Sequence, residues 1–416
     1  MQGPHQLAQK FRTTVFPRNS LSVTLRSTSC TVKSGATVPI LGGAVPVLQP
    51  EKLTATNATR MQANFFTSPI IANPPMASLP LEVPCPAVSV IVPARNEQDS
   101  LGMCLESLIA QQGIAFEIIV VDDHSTDRTR EIAASFPQVT ALEAGSLPPG
   151  WTGKANAVTC GAHQARGAWL LFTDADTVHK PASLARAILE AEQTGVDLLS
   201  YSPEQEVHSF IERSVMPVIF AELATRYKPS EVSDPKSDAA AANGQYVLVS
   251  REAYDAVGGH AAIAGSLLED VELARAVKRS GRKIVFRFAA DQVRTRMYRS
   301  TTQLIEGWTK NLVLLFPWPL TLAFIRTAEF LVIVTSATVG ISLVPHLFAG
   351  PFFGLFSFFL MMFQRRVERA HFPFSSRWLG IFGLPIFSYL LLRSVIQYRR
   401  GRVAWKGRNY SGTAAS

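Results

Sequence analysis

The chain has 416 residues, of which 47% are hydrophobic and only 17% charged, and its net charge is +8. This composition excludes a disordered, acidic or collagen-like chain, and four cysteines without CxxC spacing exclude a disulfide framework. The length exceeds what one compact core usually needs, so we expect one large domain with additional segments.

Residues 1–86 are rich in Ser, Thr, Pro and Ala and show neither helical nor strand periodicity. They contain no continuous apolar core of the kind that a signal peptide needs. Their basic, acid-poor character is shared with transit peptides, but a disordered leader is the interpretation we favour. Residues upstream of the true start codon are the alternative, with Met61 or Met76 as the first residue.

Residues 87–300 alternate between strand and helix patterns, and three short apolar runs are typical of buried parallel strands: VSVIV at 88–92, EIIVV at 117–121 and AWLLFT at 168–173. Helical stretches between them begin at predicted N-caps, Asp99 or Ser100 and then Ser125. Such strand–helix–strand units predict an α/β fold with a Rossmann-like, doubly wound, mostly parallel sheet. Ligands of these sheets bind at the carboxyl ends of the strands, which is where the acidic clusters fall.

Residues 301–327 are apolar but interrupted by charges and two prolines, which predicts an amphipathic segment in the membrane interface with Trp308 and Trp318 at headgroup level. No Asp, Glu, Lys or Arg occurs from Phe330 to Phe363. This run is too long for one span, so residues 328–397 are predicted to form a transmembrane region with helices at about 328–344, 347–363 and 378–396. A buried soluble helix bundle is the alternative.

A basic tail follows at residues 398–416, and its charge after apolar segments indicates an anionic lipid surface. Nucleic acid is not expected as a partner, because the basic residues are not interleaved with aromatics on a folded module.

Three acidic loops follow the three apolar runs. The loop at 93–97 ends in Glu97, and the loop at 120–129 contains Asp122 and Asp123, of which one is expected to contact a ligand while the other braces the loop or caps a helix. In the third loop, Asp174 and Asp176 can direct oxygens towards Mg²⁺ or Mn²⁺, with His179 as a further ligand or neighbour. Such an ion would neutralise the diphosphate of a nucleotide-sugar as it leaves.

A fourth cluster places Glu269 and Asp270 before an amphipathic helix. A carboxylate here could act as general base on an acceptor hydroxyl, although acidic residues are also ordinary in a first helical turn.

Six motifs in order, from about Val88 to Asn311, resemble family 2 glycosyltransferases of the GT-A fold: VSVIVPARNE, VVDDHSTDRT, GWTGKANAVTCGAHQARG, FTDADT, NGQYVLVSREAYDAVGGH and EDVELARAVKRSG. The stretches RMYRS, GWTKNL and VAWKGRNY are most similar to the membrane-bound subgroup associated with hopanoid and carotenoid glycosylation.

The resemblance implies that Asp123 meets the nucleoside base and Glu97 supports its pocket, that Asp270 is the catalytic base with Glu269 beside it, and that Mg²⁺ or Mn²⁺ is bound by Asp174, Asp176 and His179. The implied donor site further contains Pro93, Arg95, Lys154 and Asp174, and the implied acceptor and interface residues are Gly244, His260, Arg296 and Trp308.

One position departs from the processive members, which carry Gln–x–x–Arg–Trp before their transmembrane helices. The matching stretch here is QLIEGW, with Gly307 in place of the arginine, and this argues against polymer synthesis.

The resemblance therefore implies an inverting transfer of one sugar from a nucleotide-diphosphate sugar to a hydroxyl or carboxyl of a lipid or polyprenoid acceptor. A UDP-hexose is the expected donor, and the residues are also compatible with GDP. A multi-pass location in the cell membrane is expected, with the catalytic domain facing the cytoplasm. The alternatives are a processive polysaccharide synthase and a catalytically silent membrane scaffold.

Overall fold

A computed structural model describes residues 85–344 and 349–410, so nearly all of the predicted leader lies outside the described residues. The strands within these ranges are β1 Val88–Ala94, β2 Phe116–Asp122, β3 Val139–Glu143, β4 Trp169–Phe172, β5 Thr177–His179, β6 Leu198–Ser202, β7 Glu204–Gln205, β8 Val247–Ser250, β9 Ile284–Phe288, β10 Val293–Thr295, β11 Ala404–Trp405 and β12 Arg408–Asn409. The helices are α1 Leu101–Ile109, α2 Thr129–Ala134, α3 Gly153–Gln164, α4 Ser183–Thr194, α5 Phe210–Arg226, α6 Pro229–Val232, α7 Arg251–Ala256, α8 Glu269–Arg279, α9 Thr301–Leu315, α10 Pro319–Ser342, α11 Ala349–Glu368 and α12 Phe374–Arg399.

The central sheet has seven strands in the order β3-β2-β1-β4-β8-β6-β9. Strands β1 to β4 are mutually parallel, and β9 is parallel to β6, whereas β8 runs antiparallel to both of its neighbours. The sheet is thus α/β and parallel-rich but mixed. The direction of β8 was not predictable, because an apolar strand buried on both faces fits either direction.

The pairing register brings the acidic loops to one edge of the sheet. Ala94 at the end of β1 lies opposite Asp122 at the end of β2, and Ile91 lies opposite Phe172 at the end of β4. The loops after these strands therefore leave the sheet side by side. A small sheet in the order β5-β10-β7 continues beyond β4 at this edge.

Helices cover both faces of the sheet. On one face Val90 and Val92 pack with Leu101 and Leu105 of α1, all fully buried. On the other face Ile91 packs with α3, and there Gly161 permits a close approach, because a Cβ on it would lie 2.6 Å from the Ile91 Cγ2 atom. The two apolar layers fix the sheet that carries the loops.

The predicted interfacial segment 301–327 does not exist as one element. Helix α9 ends at Leu315, and α10 begins at Pro319 and continues through the charged residues Arg326 and Glu329. The prolines cause the break, because proline lacks the amide donor that a helix interior needs and is favourable in a first turn. The transmembrane region was predicted to begin at residue 328, whereas helix α10 begins earlier, at Pro319.

The charges on α10 are accommodated by a buried ion cluster, which comprises Glu222 of α5, Arg326 and Glu329 of α10 and Arg366 of α11. Arg326 Nε lies 2.8 Å from Glu222 Oε1, and Arg366 Nη2 lies 2.8 Å from Glu329 Oε2. The side chains of the two acids are only 6% and 8% exposed. This pairing explains why an apolar helix contains charges at its centre.

Two helices in the described part of the chain, α10 and α12, are long and apolar enough to cross a membrane. The predicted span 347–363 falls in α11, which ends on a polar, charged stretch at 364–368 and is not one of the two. Large apolar side chains are exposed on these helices, among them Phe324, Ile341, Phe358 and Phe382. Three membrane-spanning helices were predicted, whereas only two helices among the described residues have the length and hydropathy of a membrane span.

Candidate active site

The loop after β1 is tied to the loop after β2. The Asn96 amide donates to Ser125 Oγ (3.0 Å), and the Glu97 amide donates to Thr129 Oγ1 (2.7 Å). Arg95 donates through Nη1 to the Asp123 carbonyl (2.5 Å). Arg95, which was predicted in the donor site, thus holds one loop against the other.

The two neighbouring aspartates have different roles. Asp122 accepts a hydrogen bond from the Ser125 amide (3.3 Å to Oδ2) and braces the loop, whereas Asp123 is buried and faces an arginine described below. Ser125 does not cap a helix, which corrects the sequence prediction. Helix α2 begins at Thr129. The Thr129 amide donates to Asp127 Oδ1 (3.0 Å), which the aspartate can reach because it lies two residues earlier in the chain.

Lys154 joins the loop after β4 to the start of α8. Its Nζ lies 2.8 Å from Asp174 Oδ1 and 2.8 Å from Glu269 Oε1. The lysine is placed by α3, whose first turn is capped by Thr152 Oγ1 accepting from the Ala155 amide (3.1 Å). Two acidic loops that are 95 residues apart in the sequence are therefore linked by one cation.

Asp270 lies in the first turn of α8. Its Oδ2 accepts from the Gly244 amide (2.7 Å) and its Oδ1 from the Val271 amide (2.8 Å). A Cβ at Gly244 would lie 2.9 Å from Lys154 Nζ and 3.3 Å from Asp270 Oδ2. There is no room for a side chain between the lysine and the aspartate, so this position requires a glycine. Gly244 was predicted near the acceptor.

These groups share one narrow pocket at the carboxyl edge of the sheet, and seven of the predicted site residues line it: Pro93, Lys154, Asp174, Gly244, His260, Glu269 and Asp270.

Burial and neighbouring charge set the protonation of the pocket. Burial and the adjacent Glu269 raise the pKa of Asp270 to about 6. Burial opposes the charge of Lys154, but Asp174, Glu269 and Asp270 outweigh it and raise its pKa well above the ordinary value. For Glu269 the lysine outweighs burial, so its pKa is lowered. At neutral pH the pocket thus has an ionised Glu269–Lys154 pair beside a carboxylate whose pKa is close to the working range of a general base.

Asp176 differs from its neighbours. Its Oδ1 is buried without a hydrogen-bond partner. Burial, and then the negative charges of Asp174 and Glu97, raise its pKa to about 8. An unpartnered buried carboxylate oxygen that is repelled by two other carboxylates fits a divalent cation, since Mg²⁺ is often held by one or two carboxylates together with substrate phosphates.

His179 does not complete a three-ligand metal site. In the part of the chain that the structure describes, no group of three His, Cys, Asp or Glu side chains could hold an ion. The His179 Nε2 lies 3.1 Å from Thr173 Oγ1, its Nδ1 is buried without a partner, and burial lowers its pKa to about 3.

Of the four predicted acceptor residues, Gly244 and His260 line this pocket, whereas Arg296 and Trp308 do not. His260 is buried, with Nδ1 3.1 Å from the Tyr254 hydroxyl, and burial lowers its pKa to about 4. Trp308 is 2% exposed and donates to Met216 Sδ, so it belongs to the helical core and not to a headgroup layer. It was misplaced because its face of α9 packs against α5, whereas Trp318 is 74% exposed. Arg296 follows β10, with a buried Nε that has no hydrogen-bond partner.

Gly307 lies against Tyr298, and a Cβ on it would approach the ring carbons and hydroxyl to 2.6 Å. An arginine at this position would require the buried Tyr298 to move. The departure from the processive motif is therefore built into the packing.

The tail contributes two residues that sequence reasoning did not assign to the site. Strands β11 and β12 form a hairpin whose turn is Lys406-Gly407. Lys406 Nζ pairs with the Glu97 carboxylate, and Arg408 forms a bidentate pair with Asp123, with Nη2 2.9 Å from Oδ1. The prediction of a lipid-binding tail is corrected for these residues, because their charges meet carboxylates of the sheet edge. The sequence signal was the stretch VAWKGRNY, whose Gly407 can adopt the positive φ that the second position of a two-residue hairpin turn requires.

Comparison with known proteins finds one matching family model and several similar proteins. Residues 89–257 match the description of glycosyl transferase family 2. The 4,4'-diaponeurosporenoate glycosyltransferase of Staphylococcus haemolyticus (strain JCSC1435) is 33% identical over 234 residues, which cover 54% of this chain and 61% of that protein. The protein of the same name from Staphylococcus aureus (strain USA300) is 29% identical over 54% of this chain and 60% of its own. The chain thus spans about three fifths of the length of these relatives.

Two solved structures have similar chains at low identity. A mannosyltransferase from Pyrobaculum calidifontis, in complex with GDP-Man and Mn²⁺, is 16% identical with a TM-score of 0.44, covering 75% of this chain and 87% of its own. TarS 1–349 of S. aureus, in complex with UDP-GlcNAc, is 18% identical with a TM-score of 0.38, covering 76% and 92%.

Proposed function

We propose that the protein, whose residues 89–257 match the glycosyl transferase family 2 model, transfers one sugar from a nucleotide-diphosphate sugar to a lipid acceptor with inversion at the anomeric carbon. The observation that carries the proposal is the pocket in which Asp270, Glu269, Lys154 and Asp174 meet at the carboxyl ends of the strands.

Asp270 is the proposed general base. Its pKa of about 6 leaves it ionised at neutral pH and still able to take up a proton. The acceptor oxygen attacks the anomeric carbon, the bond from that carbon to the diphosphate oxygen breaks, and the nucleoside diphosphate leaves with the electron pair. The proton of an acceptor hydroxyl passes to Asp270. The amides of Gly244 and Val271 hold the carboxylate during this transfer.

The donor is proposed to be a UDP-hexose. Asp123 and Glu97, at the ends of adjacent parallel strands, lie at the edge where nucleotides bind in such sheets. Lys154 is the cation of the pocket that would meet the anionic part of the donor, and the ion pairs to Asp174 and Glu269 keep it oriented.

A divalent cation is proposed at Asp176, with Asp174 next to it. The support is the buried, unpartnered Oδ1 of Asp176 and its raised pKa. Mg²⁺ or Mn²⁺ at this position would neutralise the diphosphate as it leaves. His179 is left out of the proposed site, because its Nε2 lies 3.1 Å from Thr173 Oγ1 and no three-ligand group forms among the described residues.

The acceptor is proposed to be a lipid with a carboxyl or hydroxyl group, and a carotenoid acid is favoured. The relatives named above act, by their name, on 4,4'-diaponeurosporenoate, a carboxylate. A carboxylate needs no general base at neutral pH, whereas a hydroxyl does. Membrane association through α10 and α12 would bring the pocket to such an acceptor. The catalytic domain is proposed to face the cytoplasm.

The proposal is tested with purified full-length protein, a UDP-hexose and a carotenoid acid in detergent. We expect release of UDP that requires both the lipid and Mn²⁺ or Mg²⁺, with one sugar on each acceptor. UDP release that is independent of the lipid, or no release from any nucleotide sugar, would contradict it. Wild type without the divalent cation and wild type without the lipid are the controls.

A further inference from the structure

The hairpin at residues 403–410 closes over the edge of the sheet where the donor is expected. Its turn has positive φ at Lys406 (46°) and Gly407 (76°), the type I′ geometry of a two-residue hairpin. Its base is fixed, because Val403 is 1% exposed and accepts from the Tyr410 amide (2.7 Å). The segment is therefore a folded strap connected to α12 and not a free tail.

The tip of the strap lies between the first two acidic loops. Arg408 engages both oxygens of Asp123, whose side chain is only 6% exposed, and Lys406 pairs with Glu97. The Lys406 carbonyl accepts from Arg95 Nε (3.1 Å). In this arrangement a nucleoside cannot reach the Asp123 carboxylate, so donor binding must move Arg408.

The tip also reaches the start of α3. A Cβ on Gly153 would overlap the Arg408 guanidinium and the Asp123 carboxylate, so the glycine makes room for this pair beside the helix N-terminus. Lys406 is close enough to Asp176 to oppose the rise in its pKa. The strap thus contacts Asp123 and Glu97, the carboxylates proposed to meet the nucleoside, and its Lys406 also acts on Asp176, the carboxylate proposed to hold the metal.

Charge balance decides what the strap does when a donor binds. Six acidic side chains lie at this edge: Glu97, Asp123, Asp174, Asp176, Glu269 and Asp270. Lys154 is already paired with two of them, Asp174 and Glu269. A diphosphate brings further negative charge. If the strap left as the donor entered, Glu97 and Asp123 would remain uncompensated beside an anion in a partly buried site, which is unfavourable.

We propose that the strap is part of the donor site, and that Arg408 and Lys406 transfer from Asp123 and Glu97 to the diphosphate of the nucleotide sugar when it binds. This inference rests on the proposed function. Bidentate contact suits a guanidinium and a phosphate, and the exchange frees Asp123 and Glu97 for the nucleoside.

The test measures binding of UDP and of uridine to the full-length protein by calorimetry. Arg408→Gln and, separately, Lys406→Gln should weaken UDP binding about tenfold or more, as expected when a charge-assisted hydrogen bond is lost. Uridine, which has no phosphate, should bind these variants at least as well as it binds wild type. Arg408→Lys should be intermediate, because it keeps the charge but loses the bidentate geometry.

The matched control is Arg402→Gln, which removes the same charge from an exposed position just before the hairpin and should leave both affinities unchanged. Tighter binding of UDP by the Arg408 and Lys406 variants would overturn the proposal and identify the strap as a plug. Unchanged UDP affinity, or equal losses for uridine and UDP, would also overturn it. If wild type binds neither UDP nor GDP, the proposed function itself fails and the inference fails with it.

Discussion

Asp270 is the residue at which a catalytic role and a structural role are most clearly separable. Asp270→Asn keeps the shape, but its single side-chain oxygen can accept from only one of the Gly244 and Val271 amides, which bond to different oxygens of the aspartate. It cannot take up a proton at neutral pH. With a hydroxyl acceptor we expect turnover to fall about 10²- to 10⁴-fold, while donor affinity changes little and the lost hydrogen bond lowers stability by only about 1 kcal/mol.

The control for this variant is Glu272→Gln, which neutralises another acid in the first turn of α8 that pairs with Arg275. Its turnover should be close to that of wild type. Asp270→Asn protein that melts early but transfers at the wild-type rate per folded molecule would make Asp270 a structural residue.

The pH dependence of transfer separates the two acceptor chemistries. Because the pKa of Asp270 is about 6, transfer to a hydroxyl should fall about tenfold per pH unit below 6, where the base becomes protonated. Transfer to a lipid carboxylate, which loses no proton, should lack this dependence on Asp270. Initial rates between pH 5 and 8 with each acceptor measure the difference, and identical profiles in wild type and Asp270→Asn with the hydroxyl acceptor would argue against the assignment.

Asp176 predicts a pH-dependent affinity for the metal. Its pKa of about 8 means that a proton competes with the cation below pH 8, so Mn²⁺ affinity should rise about tenfold per unit from pH 6 to 8. Asp176→Asn should bind weakly and without this pH dependence, whereas the exposed Glu106→Gln should behave as wild type. Calorimetric titration with Mn²⁺ at three pH values checks this, and a flat wild-type profile would remove the assignment.

At the level of single residues, the sequence indicated more of the site than of its surroundings. Asp174, Glu269 and Asp270 were recognisable because each follows an apolar strand or opens an amphipathic helix, and the structure brings them to one pocket. Trp308 was misplaced because the pattern does not show which face of α9 meets α5. Lys406 and Arg408 were missed because their partners lie about 300 residues earlier, beyond any local pattern.

Among the elements, α10 depends on the ion cluster that links it to α5 and α11. Removing one partner of a buried pair leaves an uncompensated charge and typically costs about 3–5 kcal/mol. Glu329→Gln should therefore lower the stability of the helical region strongly, since Glu329 pairs with both Arg326 and Arg366. Glu368→Gln, which breaks an exposed pair with Arg377, should cost about 1 kcal/mol or less.

Thermal unfolding of both variants in detergent, followed by circular dichroism, measures this difference. Equal midpoints for Glu329→Gln and Glu368→Gln would show that the cluster contributes no more than a surface pair. The cluster also explains an error of sequence reasoning, because Arg326 was counted among the charges that interrupt an interfacial segment at 301–327, whereas it is paired inside a helix bundle.

At the scale of the whole molecule, the catalytic sheet and the apolar helices are connected through the site. Helix α5 packs with α12, and α12 leads into the strap whose tip meets the loops after β1 and β2. The α/β class followed directly from strand and helix periodicity. The return of the chain terminus to the sheet edge did not, because it depends on tertiary packing.

The central claim is that one sugar is transferred to a lipid acceptor, and mass spectrometry of the lipid product tests it most directly. Purified wild-type protein with a UDP-hexose, Mn²⁺ and a carotenoid acid should convert the acceptor to a species heavier by one hexose, and further incubation should not extend it. A ladder of products with increasing numbers of sugars, or an unmodified lipid under conditions in which the protein binds UDP, would contradict this account.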